Sequence, residues 1–106
     1  MDEIAVVMVD ASGTIRYWSR GAEQAFGHPQ AAALGQSLDL IVPVEYRKPH
    51  WAGFRRAMAA GVAAAEGKPG PFPVVAADGG IVTRSGTLSL VRSLDGSPLG
   101  AMVIFD

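Results

Sequence analysis

Apolar residues fall in short blocks along the chain, separated by breaks rich in glycine and proline. Ile4–Val9 is an apolar run with β-branched members that stops at the turn sequence Asp10-Ala11-Ser12-Gly13, which predicts a strand and a turn. Thr14–Trp18 alternates and reads as the second strand of a hairpin. Ser19 suits a helix N-cap, with Ala22, Ala25 and Phe26 on the inward face and Gly27 as the stop. His28-Pro29 then opens a short helix, Gln30–Leu34, closed by Gly35. Leu38, Leu40, Ile41 and Val42 form a buried connector. The longest helix covers the stretch from about Val44 to Gly61. Pro49 lies inside that stretch, so either the helix bends or it starts near Lys48 with Pro49 at its first position. The second is preferred, because a first-turn proline removes no helical bond. Gly67-Lys68-Pro69-Gly70-Pro71 reads as a loop and Phe72–Ala76 as an edge strand. Asp78-Gly79-Gly80 is a hairpin turn. Ile81–Val91 is a long strand weakened by Gly86, Ser93–Pro98 turns the chain, and Leu99–Phe105 is the last strand.

Strand runs and helix runs are therefore segregated, which predicts an α+β domain: five antiparallel strands with helices on one face. At 106 residues the chain makes one domain, 1–106. Hydrophobic content of 49% against 18% charged is that of a globular core. A formal net charge of −1 gives no basic face for nucleic acid. The absence of cysteine excludes disulfides, thiol nucleophiles and cysteine-rich zinc sites, and suits a reducing cytoplasm, the expected location. No apolar run is long enough to span a bilayer, and the acidic start Met1-Asp2-Glu3 is not a secretory signal. No paired-carboxylate spacing, nucleophile elbow or phosphate-binding loop is present, so the domain is not expected to be an enzyme.

The candidate chemistry sits on the long helix. His50 opens a helical stripe that continues through Phe54, Ala57, Met58 and Gly61, all apolar or small. Arg47, Lys48, Arg55 and Arg56 fall mostly off it. An imidazole aimed at an apolar interior is either hydrogen-bonded to a backbone carbonyl or a metal ligand, heme iron included. Leu88, Leu90, Val103 and Phe105 could line a flat apolar cavity beside it. Lys68 or Arg84 could add a polar group. Trp51 is read as a packing residue, with a partner subunit as one thing it could pack on, and His28 as a surface residue; Trp18 reads either as strand-end packing or, with Tyr17, as an exposed aromatic. The small residues Ala52, Gly53, Ala57, Ala59 and Ala60 suit a closely packed helix.

The ordered set Asp10–Ile15, Trp18-Ser19, Ala22–Gly27, Leu34-Gly35-Gln36, Pro43, Asp78-Gly79 and Val103–Asp106 resembles a PAS domain across essentially the whole chain. The resemblance implies a sensory module cut from a longer signalling protein, such as a two-component system, with its output domain attached elsewhere. It also implies a homodimer formed through the chain ends or the outer sheet face. Within the family, Pro43–Arg56 is similar to the FixL-type heme sensors of diatomic gases. That likeness implies His50 as the proximal iron ligand and Arg56 as a partner for a heme propionate. Phe54, Met58, Leu88, Leu90 and Val103 would complete the heme b pocket. The chain departs from this pattern where the oxygen-contacting arginine falls on Gly70 and a second propionate contact falls on Ala64. The alternatives are a heme-free dimerisation and relay module with a small or empty pocket, and a noncovalent flavin site.

Overall fold

The computed structural model describes residues 3–106. The acidic start at Met1 and Asp2 lies outside the described residues. The sheet is five-stranded and antiparallel, in the order β2-β1-β5-β4-β3. Its strands are β1 (Ala5–Asp10), β2 (Ile15–Trp18), β3 (Pro69–Val75), β4 (Ile81–Arg92) and β5 (Pro98–Phe105). Between β2 and β3 run α1 (Arg20–Phe26), α2 (Gln30–Ala33), a short 3-10 turn (Leu38–Leu40) and α3 (Val44–Ala60). The α+β architecture expected from the element order is the one observed.

Side chains alternate across each strand, so Ala5, Val7, Val9, Leu90, Ala101 and Phe105 share the inner face and are buried. They meet Phe26 of α1, which packs edge-on against Phe105 at a ring distance of 5.0 Å. Leu38 and Ile41 close the core from the connector. Ser19 caps α1 as expected: its hydroxyl accepts from Ala22 N–H and Val6 N–H and donates to the Ile4 carbonyl. The helix then lies directly on the start of β1. A Cβ at Gly21 would come within 2.3 Å of the Ile4 oxygen, so only glycine permits this approach.

Several expectations are corrected. Helix α3 begins at Val44, not near Lys48, and keeps Pro49 in its interior. Its first turn is anchored from outside: the Arg47 guanidinium donates to the carbonyls of Asp39 and Val42, at 3.0 and 3.2 Å. Those bonds hold the turn while Pro49 removes one helical bond further on. Strand β3 begins at Pro69, so Pro69–Pro71 is strand rather than loop. Prolines at 69, 71 and 73 all leave their missing donor on the same edge of the strand. That edge is the free one, and Gly70, Phe72 and Val74 sit on the bonded side.

Trp18 is not exposed but fully buried, at 0% accessibility, with Nε1–H donating to the His28 carbonyl at 2.9 Å. His28 is likewise interior rather than on the surface, and its Nε2 donates to the Val75 carbonyl at 2.8 Å. Trp51 packs on its own chain: its Nε1–H donates to Asp39 Oδ1 at 2.7 Å, and its ring covers Gly13.

Candidate functional site

Helix α3 stands off the sheet, and among its described residues only Ala57 is buried. The space left between them is a cavity of about 990 Å³, at the upper end of the range for small-molecule sites. The helix wall is made by Pro49, His50, Gly53, Phe54, Arg56, Ala57 and Ala60. The sheet wall is made by Val7, Val9, Phe72, Val74, Leu88, Leu90, Ala101, Val103 and Phe105. The mouth is marked by exposed Tyr46, Arg56 and the segment Val62–Ala65. Among the described residues no carboxylate lines the cavity, and His50 and Arg56 are the only basic side chains that do.

His50 is half-buried. Its ring stacks near-parallel to Phe54 at 6.2 Å and edge-on to Trp51 at 5.2 Å. Among the described residues, His50 Nδ1 is the one buried side-chain nitrogen or oxygen without a hydrogen-bond partner. Burial pushes the imidazole below its ordinary pKa, while the negative charge of Asp39 pulls the other way. The ring is therefore held toward its neutral form, the form that binds a metal. Buried polar atoms are nearly always paired, so the unpartnered Nδ1, which faces packed protein, makes the imidazole a costly choice at this position.

Of the residues singled out in sequence, His50, Phe54, Arg56, Leu88, Leu90 and Val103 all line this cavity. Met58 does not; it packs against the core beside it. Lys68 and Arg84 supply no polar group here. Lys68 is absent from the lining, and Arg84 donates to the Asp106 carbonyl at the far end of the sheet. Gly70 lies in β3 opposite Gly86, and Ala64 is at the mouth. Of the small residues of α3 only Ala57 is packed into the core; Ala52, Ala59 and Ala60 are exposed, and Gly53 leaves room in the cavity. The connector residues Ile41 and Val42, and the segment after α3, also line the cavity and were missed as site residues. Their only signal in sequence was the absence of any charged side chain in the run Val62–Ala65.

Gly53 gives a direct test of the open wall. A Cβ there would meet nothing closer than Arg56 Nη2 at 4.0 Å. Gly53→Ala is expected to stabilise the domain by about 1 kcal/mol, the helix-propensity gain alone. Gly53→Phe should instead fill the cavity and reduce ligand uptake. Thermal unfolding and ligand titration of both variants check this. A destabilised Gly53→Ala would mean the wall is already packed.

Among the described residues no group of three or more His, Cys, Asp or Glu side chains could hold a metal ion. A heme makes no such demand, since its porphyrin supplies four ligands and the protein one or two. His50, Arg56 and the apolar walls fit that group in residue type. No described helix is long and apolar enough to cross a membrane.

Comparison with known proteins agrees on the fold. No curated protein matches the chain in sequence. The PAS domain of a protein from Colwellia psychrerythraea is 19% identical with a TM-score of 0.80, covering 97% of this chain and 84% of that one. The PAS domain of the Cronobacter turicensis RpfR quorum-sensing receptor, in complex with C12:0, is 12% identical with a TM-score of 0.70, covering 99% and 93%. An RNA-binding light-oxygen-voltage receptor is 17% identical with a TM-score of 0.74, and the match covers 97% of this chain but 29% of that one. The family model described as PAS fold matches residues 2–106. With the five-stranded sheet, the helices on one face and the cavity between them, the chain belongs to the PAS fold family.

Proposed function

We propose that this PAS domain is the sensory input module of a signalling protein and that the cavity between α3 and the sheet holds its ligand. The observation that carries the reading is His50: a half-buried imidazole on the wall of a large cavity that is otherwise almost wholly apolar. The ligand that this residue set suits best is heme b. A bound heme would supply a redox-active iron able to take a diatomic gas. His50 would be the protein ligand to the metal. Arg56, at the mouth, offers a guanidinium to a carboxylate. Leu88, Leu90 and Val103 keep water off the sheet side and offer no hydrogen-bond donor from their side chains.

A second reading is favoured by the same walls. An apolar chain with a carboxylate head would bury its tail among the sheet residues and meet Arg56 or His50 at its polar end. The RpfR PAS domain, similar in fold, is in complex with C12:0. A flavin suits the site less well. Its pyrimidine edge needs donors and acceptors, and burying them against Leu88, Leu90 and Val103 leaves them unpaired. A relay module with a small or empty pocket sits poorly with a cavity of about 990 Å³. The test is the absorption spectrum and native mass of protein purified from cells supplied with heme. A Soret band supports the first reading, a bound fatty acid without chromophore the second. A flavin spectrum, or neither ligand nor chromophore, contradicts both.

Self-association is proposed through the outer sheet face. Tyr17, Met8 and Met102 stand side by side across three strands, with Val6 beside Ile104 in the next row. Tyr17 and Ile104 are 44% and 40% exposed, and no described helix covers them. The double variant Tyr17→Lys, Ile104→Lys is expected to be monomeric at concentrations where wild type dimerises, by sedimentation velocity. A wild type that stays monomeric at high concentration contradicts the proposal.

A further inference from the structure

Strand β3 pairs with β4 only as far as Pro69 opposite Thr87, while β4 runs on to Arg92. From Leu88 onward, the edge of β4 that faced β3 has no strand beside it, and its exposed backbone groups need other partners. The segment after α3 supplies them. Gly67 N–H donates to the Leu88 carbonyl at 2.9 Å, and the Glu66 carboxylate accepts from Leu90 N–H at 2.9 Å. The same carboxylate takes a two-pronged bond from Arg92, at 2.9 and 2.6 Å. Arg92 also donates to the Gly61 carbonyl at 3.0 and 3.2 Å, a group left open by the end of α3.

Both ends of Val62–Glu66 are thus tied to β4 by two side chains. The segment is bracketed by Gly61 and Gly67, with φ of +74° and +79°, a conformation in which a side chain is strained. Between these hinges Val62, Ala63, Ala64 and Ala65 line the cavity mouth. Three of them are exposed and three are alanines, so little apolar area holds the segment down. Polar bonds to β4 are what keep it in place.

We propose that Val62–Glu66 is a lid on the cavity, latched by Glu66 and Arg92, whose opening sets the rate of ligand uptake and release. The proposal rests on the reading of the cavity as a ligand site. Its test compares wild type with Glu66→Ala and Arg92→Ala in two measurements. Amide hydrogen exchange at Leu90 and Gly67 follows the latch with no ligand present, and exchange at Val7 in the central sheet confirms that each variant is folded. Stopped-flow uptake of hemin, and hemin loss to an acceptor globin, follow access to the cavity. In Glu66→Ala, Leu90 exchange and both hemin rates should rise together by about tenfold, as expected for loss of charged hydrogen bonds. The equilibrium affinity should stay nearly unchanged, because the lid touches uptake and release alike. Faster Leu90 exchange with unchanged hemin rates would overturn the lid, and so would unchanged Leu90 exchange. Failure of wild type to take up either hemin or sodium dodecanoate would overturn the cavity reading itself. The Leu90 amide tells the two failures apart.

Discussion

Trp18→Ala is expected to lose about 3–5 kcal/mol of folding stability, the range for deleting a large aromatic side chain from a core. The indole is wholly buried, tilted against Phe26 at 6.1 Å and edge-on to His28 at 5.8 Å. Its removal leaves a void that α1 and the His28 turn cannot both close. It also strands the His28 carbonyl, which loses the Nε1–H donor. A small domain holds only about 5–15 kcal/mol in total, so the variant should be largely unfolded in modest urea. Trp18→Phe separates the two contributions: it keeps most of the apolar bulk and loses the bond, for about 1–3 kcal/mol. Urea unfolding followed by circular dichroism measures both. A Trp18→Ala variant within about 1 kcal/mol of wild type would mean that the core is not organised around this ring.

The site carries the opposite signature. His50→Leu is expected to stabilise the ligand-free domain by about 1 kcal/mol while abolishing heme binding. The gain comes from removing a buried nitrogen that has no partner, since an unsatisfied buried polar atom costs more than a satisfied one returns. Leucine fills similar space beside Phe54 and Trp51 with no polar demand. The loss comes from removing the only imidazole on the cavity wall. Core positions do not behave this way. Destabilisation of ligand-free protein by His50→Leu would show that the imidazole is part of the packing, with a bond that the structure does not contain.

The order of elements along the chain, the turns and the long helix were legible in the sequence because each is written locally: turn residues at Asp10–Gly13, Asp78–Gly80 and Asp95–Pro98, a cap at Ser19, a helical stripe from His50. The misreadings share a different cause. Strict alternation from Ile15 puts Trp18 on the outer face. Arg16 is instead an extra residue between the pairs Val9–Ile15 and Met8–Tyr17. That bulge turns Trp18 inward opposite Val7. His28 precedes a proline and looks like a turn residue, yet a carbonyl distant in sequence, on Val75, draws it inside. The early start of α3 depends on Arg47 reaching back to the connector. The strand character of Pro69–Pro71 depends on its lying at a sheet edge, where alternate prolines cost nothing. His50, Phe54, Leu88, Leu90 and Val103 could be named in advance because helix and strand periods fix which way they face, whereas Arg56, off that stripe, was named only through the resemblance to heme sensors. The lid could not, because its bonds join residues far apart in sequence and only the end of β3 leaves β4 open to receive them.

The proposed role of His50 is tested most directly by titrating hemin into purified wild type and His50→Ala while recording absorbance through the Soret region. One equivalent should bind wild type with a sharp spectral change and a stable ferrous carbon monoxide complex. His50→Ala, still folded by circular dichroism, should show only weak, nonspecific uptake. Equal binding by the two proteins, or no binding by wild type, would contradict His50 as the heme ligand of this domain.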